Sequence, residues 1–169
     1  GLLGGFFVMK LILFLARGAS PSINTVFRRS QIITAVALAL SHGTNDAQKT
    51  MGIIALILLT QGVITKFSVP YYVIIMAALA ISLGTFFGGW RIVKTMGMKL
   101  TKLQPVGGLA AETAAASTLV LATFLGVPVS TTHTITGSIM GVGATRRLSA
   151  VRWGVVNRIL VAWIFTIPA

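Results

Sequence analysis

Two short polar segments interrupt long apolar stretches of the sequence, and they carry most of its chemically capable side chains. The first, residues 41–46 (SHGTND), ends in the amide of Asn45 and the carboxylate of Asp46. The second, residues 126–133 (GVPVSTTH), has three consecutive hydroxyl groups before a histidine. Carboxylate and amide oxygens bind hard cations, whereas donors at the start of a helix bind anions. The two segments together indicate a site for an anion and a cation.

The hydroxyl groups belong to Ser130, Thr131 and Thr132, which stand at the start of a predicted short helix. The first N–H groups of a helix have no partner inside it, and the positive end of the helix dipole lies there. This chemistry suits phosphate, which offers several acceptor oxygens. We therefore predict that these three residues contact an oxyanion.

The composition indicates a membrane protein. Of 169 residues, 55% are hydrophobic and 9% are charged, and the mean hydropathy is +0.91, which leaves too little polar surface for a water-soluble fold. The absence of cysteine excludes disulfides and thiolate metal sites. The 14 lysines and arginines far outnumber the 2 acids and cluster between apolar stretches. That placement is typical of cytoplasmic loops and not of a nucleic-acid-binding surface.

These patterns predict an all-α integral membrane protein, since about 20 apolar residues are needed for each crossing. Both chain ends are typical of a fragment. The predicted segments are the end of a preceding transmembrane helix (1–16), a cytoplasmic basic loop (17–31), a discontinuous transmembrane helix (32–65), a transmembrane helix (69–90), a cytoplasmic basic segment (91–105), a re-entrant hairpin (106–144) and a truncated transmembrane helix (153–169).

The hairpin follows from the positive charges. If the basic segments on both sides of residues 106–144 are cytoplasmic, this stretch must leave that side and return, yet it is too short for two full spans and a turn. Two short helices, 106–125 and 132–142, meeting partway through the bilayer satisfy that requirement. The break at 41–46 similarly predicts half-helices at 32–40 and 47–61. Irregular backbone at membrane depth is tolerated where it is buried in protein or lines an aqueous cavity.

The two acids, Asp46 and Glu112, are both predicted at membrane depth, where a carboxylate must bind a cation, carry a proton or pair with a base. Asp46, with the oxygen of Asn45 beside it, is the main candidate for binding a coupling cation. Glu112 either faces a partner across the bundle or forms a second cation site. Pairing of Asp46 with Lys49, three residues on, is the structural alternative.

Other polar and small residues fit structural roles better than binding. His42 and His133 are interpreted as packing or capping residues. A close helix contact is predicted for the small residues Gly137, Gly141, Gly143 and Ala144. Hydroxyl groups in membrane helices usually bond to the backbone or to neighbouring helices, and a packing role is therefore assigned to Ser117, Thr118, Thr123, Thr134, Thr136 and Ser138.

Four segments resemble the inorganic phosphate transporter (PiT) family, the last of them its bacterial branch. They are residues 41–49 (SHGTNDAQK), 107–116 (GGLAAETAAA), 127–133 (VPVSTTH) and 141–149 (GVGATRRLS). The resemblance covers about residues 30–169. Thr44 departs from it, because the family commonly has alanine there.

The resemblance implies two inverted repeats with phosphate between them, and this chain is similar to the C-terminal repeat alone. It implies that Ser130, Thr131 and Thr132 contact phosphate, that Asn45 and Asp46 serve phosphate or the cation, and that Glu112 supports coupling. The absent N-terminal repeat of the same protein is the implied partner, and a homodimer is the alternative expectation if that repeat is lacking. The lipid bilayer is the surrounding medium, and no nucleic acid is expected.

The expected function is symport of inorganic phosphate by a multi-pass protein of the inner membrane, coupled to H⁺ or Na⁺, with H⁺ favoured by the bacterial-type motifs. The phosphate is carried free or with a divalent metal, and no cofactor is expected. A passive anion channel is one alternative. An intramembrane hydrolase using Ser130, His133 and Asp46 is another, disfavoured because the serine and histidine are three residues apart at a helix start.

Overall fold

The computed structural model describes residues 1–18, 22–101 and 103–166, and in these residues the protein is helical with no β-strand. This confirms the all-α prediction. The α-helices are α1 (Leu2–Leu15), α2 (Ile23–Thr60), α3 (Tyr71–Lys94), α4 (Pro105–Phe124), α5 (Thr131–Ala144) and α6 (Trp153–Thr166). A π-helical segment, Thr95–Leu100, continues α3, and a short 3₁₀ turn, Leu148–Ala150, precedes α6.

The helices α4 and α5 form the hairpin around which the rest is arranged, with α1 packed against both and α2 lying mainly along α4. Pro105 begins α4 at a position where its missing N–H costs nothing. The non-helical joint of residues 125–130 connects it to α5, and this joint together with the first residues of α5, 131–133, is here called the hairpin tip. Gly126 has φ +67°, a left-handed conformation that glycine adopts without strain, and it ends α4. The two helices closely follow the predicted bounds, and re-entrance into a membrane stays a prediction.

Glycines allow α1 and α5 to pack with their backbones almost in contact. A Cβ atom at Gly137 would lie 3.1 Å from the Leu2 nitrogen, and one at Gly141 would lie 2.8 Å from the Phe6 nitrogen. On the facing helix, a Cβ at Gly5 would overlap the Ser138 backbone. The prediction that Gly137 and Gly141 mediate close helix packing is therefore confirmed.

The discontinuous helix predicted for residues 32–65 is wrong, since α2 runs without interruption through residues 41–46 and ends at Thr60. The polar side chains of residues 41–46 do not disrupt the backbone hydrogen bonds of the helix. Ser41 and Thr44 donate their hydroxyl hydrogens to the carbonyl groups of Ala37 and Leu40, both at 2.8 Å. Because these groups are satisfied within the helix, Gly43 alone does not break it.

Both long basic segments are more helical than predicted. The loop expected at 17–31 is wrong from residue 23 onward, because α2 begins at Ile23 and no glycine or proline follows until Gly43. The segment at 91–105 is helical as far as Leu100. Residues 19–21 of the first segment, Lys102 of the second and the end of the last helix at 167–169 lie outside the described residues.

Two of the described helices have the length and hydropathy of membrane spans, Tyr71–Trp90 within α3 and Pro105–Phe124, which is α4. The first agrees with the predicted helix at 69–90. Its apolar side chains are largely uncovered, and Phe86, Phe87 and Trp90 are more than three-quarters exposed. The helix α5, with 14 residues, is about 21 Å long, shorter than the hydrocarbon core of about 30 Å.

Candidate functional site at the hairpin tip

The hairpin tip meets the middle of α2 at Asn45 and Asp46. Thr131 donates its hydroxyl hydrogen to Oδ2 of Asp46 at 3.1 Å. The Asn45 amide donates to the Val129 carbonyl oxygen at 3.1 Å, and this asparagine is only 5% exposed. Val129 precedes the helix start, so its carbonyl group is available to a partner outside α5. The two polar segments of the sequence are therefore brought together.

Ser130 is the residue that starts α5. Its backbone is extended, and its Oγ accepts a hydrogen bond from the His133 backbone nitrogen at 3.4 Å, the usual arrangement of an N-cap. The side chains of Ser130 and Thr132 are exposed, whereas Thr131 is buried against α2. Two of the three predicted hydroxyl groups thus lie at an open helix N-terminus, where N–H groups and the helix dipole favour an anion.

Asp46 is surrounded by basic groups of its own helix. The Lys49 ammonium lies 3.4 Å from Oδ1 and also donates to the Val129 carbonyl oxygen. Nδ1 of His42 lies 3.4 Å from Oδ2 without the alignment of a hydrogen bond. The Asp46–Lys49 pair, the structural alternative in the sequence interpretation, is therefore formed, and Lys49 additionally contacts the hairpin tip. Beside it lies a cavity of about 200 Å³ bounded by Asn45, Lys49 and Pro128.

Glu112 lies in a second polar cluster, between α4 and the N-terminal half of α2. Thr34 donates to Oε2 at 2.6 Å and Gln31 to Oε1 at 3.5 Å. Thr34 and Asp46 are separated by three turns of α2, or about 18 Å. Glu112 thus faces a partner across the bundle, as one of the two expectations stated. It borders a different cavity, of about 460 Å³, with Gln31, Gly108 and Ile139 on its walls.

His133 stacks on Trp163 of α6, with ring centroids 3.7 Å apart and planes inclined by 39°. This agrees with the interpretation of His133 as a packing residue. Four of the other hydroxyl groups assigned to packing behave as expected, because Thr118, Thr123, Thr134 and Ser138 donate to carbonyl groups four residues earlier in the chain.

Sequence reasoning missed four contributors: Gln31, Thr34, Val129 and Trp163. Gln31 and Thr34 lie in or beside a stretch that was interpreted as a loop. The prediction of one long helix would have placed both residues on the face that meets α4. Val129 acts through its carbonyl oxygen, which side-chain chemistry cannot indicate. Trp163 is distant in sequence from His133, and no local pattern links them.

Comparison with known proteins shows the family of the chain. The profile described as the phosphate transporter family matches residues 12–169. The chain belongs to this family. It is 55% identical to a probable low-affinity inorganic phosphate transporter of Rhizobium meliloti, over 96% of the chain and 51% of that protein. A Bacillus subtilis protein of the same description is 43% identical over 97% of the chain and 50% of its own length.

A solved structure has the same fold as this chain. It is described as the sodium-dependent phosphate transporter, matches with a TM-score of 0.76 at 33% identity, and is covered over 42% of its length by 94% of this chain. The resemblance drawn from the four motifs is therefore confirmed. The protein is a membrane protein of a transporter family, and the relatives' names describe transporters and permeases and no enzyme. The chain spans about half the length of the curated relatives it matches.

Proposed function

We propose that this chain forms one repeat of a multi-pass secondary transporter that carries inorganic phosphate across the inner membrane. Family membership and the names of the relatives support this. The observation that carries it is the Thr131–Asp46 contact, which joins a helix N-terminus suited to an anion with a carboxylate suited to a cation. In this proposal Ser130, Thr131 and Thr132 contact phosphate, together with Asn45 and Asp46.

The electrostatics of the site favour cotransport. Phosphate and the Asp46 carboxylate are both negative, and two like charges about 4 Å apart repel by about 4 kcal/mol at an effective dielectric constant of 20. Lys49 lies 3.4 Å from Oδ1 and offsets the charge of Asp46, but the negative charge of the phosphate itself still requires an accompanying positive charge. When a transported cation or proton supplies this positive charge, phosphate binding depends on the ion gradient. A symporter requires that dependence.

The groups proposed for coupling are Asp46 with Asn45 and, separately, Glu112. The bacterial-type motifs favour H⁺, and the similarity to a sodium-dependent transporter favours Na⁺. Phosphate is carried free or as a complex with a divalent metal. In the full transporter this repeat pairs with a second repeat, and the phosphate site lies between the two. The second repeat belongs to the same longer polypeptide or to the other subunit of a homodimer.

The hydrolase alternative is not supported by the geometry of its proposed residues. Ser130 accepts from the backbone nitrogen of His133, not from its ring, and that ring stacks on Trp163. Asp46 accepts a hydrogen bond from Thr131. Neither the serine–histidine nor the histidine–aspartate hydrogen bond of a catalytic triad is therefore formed.

Uptake of radiolabelled phosphate into proteoliposomes containing the complete protein tests the proposal. Ser130→Ala and Asp46→Asn are each expected to lower uptake by about tenfold or more, since hydrogen bonds to charged groups contribute about 1.5–3 kcal/mol. Ser41→Ala is the matched control, because its hydroxyl group bonds within its own helix. Retained uptake in both site variants would refute the assignment. Uptake that continues against a concentration gradient only when an ion gradient is present distinguishes a symporter from a passive channel.

A further inference from the structure

Both carboxylate oxygens of Asp46 already have partners. Oδ1 lies 3.4 Å from the Lys49 ammonium and 3.4 Å from the Asn45 amide nitrogen. Oδ2 accepts from Thr131 at 3.1 Å and has His42 at 3.4 Å. The Asp46 side chain is one-third exposed, so its oxygens are occupied by these contacts and are not shut off by deep burial. A cation arriving at Asp46 would have to displace at least one of them.

The Lys49 ammonium contacts the two kinds of oxygen that would coordinate a hard cation at a helix break. They are a carboxylate oxygen and a main-chain carbonyl oxygen with no partner inside a helix. It contacts Oδ1 of Asp46 and the Val129 carbonyl oxygen at the hairpin tip. The same carbonyl accepts from Asn45. Oδ1 of Asp46 on α2 and the Val129 carbonyl oxygen at the tip are thus already bound to N–H groups.

A sodium ion on Oδ1 would also lie close to a fixed positive charge. Two unit charges about 4 Å apart repel strongly even near a protein surface, and partial exposure of Lys49 lowers but does not remove that repulsion. The affinity of Na⁺ for Asp46 should fall by about tenfold or more while the lysine is present. The residues around Asp46 therefore do not fit a sodium site there.

We propose that Lys49 is the built-in cation of this site, which takes the place of a transported sodium ion at Asp46 and holds α2 to the hairpin tip. The inference rests on the proposed phosphate transport. It narrows the choice of coupling group, because Asp46 then binds no Na⁺. The positive charge that offsets Asp46 beside phosphate is supplied by the protein. Any Na⁺ dependence of the complete transporter must arise elsewhere, with Glu112 as the candidate in this chain.

The test is Na⁺-dependent thermal stabilisation of the purified complete protein without phosphate, with choline chloride replacing sodium chloride at equal ionic strength. Lys49→Gln removes the charge and should create a sodium site, so Na⁺ should raise its melting temperature by more than that of the unsubstituted protein. Adding Asp46→Asn to Lys49→Gln should abolish the gain. Lys66→Gln, which removes a lysine from the exposed turn after α2, should respond to Na⁺ like the unsubstituted protein.

Two results would overturn the inference: no gain of Na⁺ response in Lys49→Gln, or a response of the unsubstituted protein that Asp46→Asn alone removes. If Lys49→Gln does not fold, Lys49→Met, which keeps the length and apolar stem of the side chain, gives the same comparison. Phosphate uptake by the same proteins is measured separately. Absence of uptake by the unsubstituted protein would count against the proposed function and leave the sodium-binding result standing on its own.

Discussion

The two ends of α5 are built for different tasks. At its C-terminal end Gly137 and Gly141 lie against the backbone of α1, and almost every residue there is buried. At its N-terminal end Ser130 and Thr132 are exposed, and the contacts are a hydrogen bond from Thr131 to α2 and a ring stack of His133 on α6. One helix therefore has a tightly packed stem and an open polar end.

The difference shows how a binding site can be both open and precise. Close packing of glycine against backbone leaves the stem no alternative position, because interiors packed at this density deform little. The polar end needs few contacts of its own to be held in place, and the exposed side chains of Ser130 and Thr132 remain accessible to a ligand. Substitutions in the stem should therefore affect folding, and substitutions at the tip should affect transport.

The largest expected effect is in the stem. Gly141→Leu would force a side chain into the backbone of Leu2 and Phe6, and overpacking of this kind costs about 3 kcal/mol. We expect little folded protein, measured by size-exclusion chromatography of the detergent-solubilised variant and by its melting temperature. Gly84→Leu is the control, since a Cβ there meets no atom within 4 Å. Equal loss in the two variants would contradict the assignment of the α1–α5 contact as the rigid stem.

An intermediate effect is expected at the tip. Thr131→Val keeps the shape of the side chain but removes the hydrogen bond to Asp46, which should lower phosphate uptake at subsaturating phosphate by about tenfold with a nearly unchanged melting temperature. Thr118→Val, whose hydroxyl group bonds within α4, should retain uptake. If Thr131→Val instead lost stability as Gly141→Leu does, the division between stem and tip would be wrong.

The smallest expected effect concerns the stack of Trp163 on His133, which links the tip to α6. Trp163→Leu should raise the KM for phosphate about fivefold and leave the maximal rate nearly unchanged, because an aromatic pair contributes about 1 kcal/mol to holding the tip. Trp163→Phe should restore most of the affinity. Trp90→Leu, at an exposed tryptophan, is the matched control. A lower maximal rate with unchanged KM would show that the ring does not position the tip.

The hairpin was predictable and the course of α2 was not. Gly126 and Pro128 leave no continuous helix between residues 124 and 131, so local chemistry determines that break. The segment 41–46 has the same polar character, yet its hydroxyl groups bond to carbonyl groups one turn back, and its amide and carboxylate bond to the hairpin tip. Polar composition alone does not distinguish a break from a helix whose polar face has a partner.

The sequence by itself determined the helical class, the family and the residues with the capacity to bind an anion and a cation, because these depend on composition, on short motifs and on side-chain type. Only the tertiary structure decided which groups meet: Asp46 with Thr131, Lys49 with the Val129 carbonyl, and Glu112 with Thr34 in a cluster of its own. Each pair joins residues far apart in the chain, whose approach is set by packing between helices. Local sequence patterns contain no information on that packing, so the charge balance at Asp46 could be determined only from the fold.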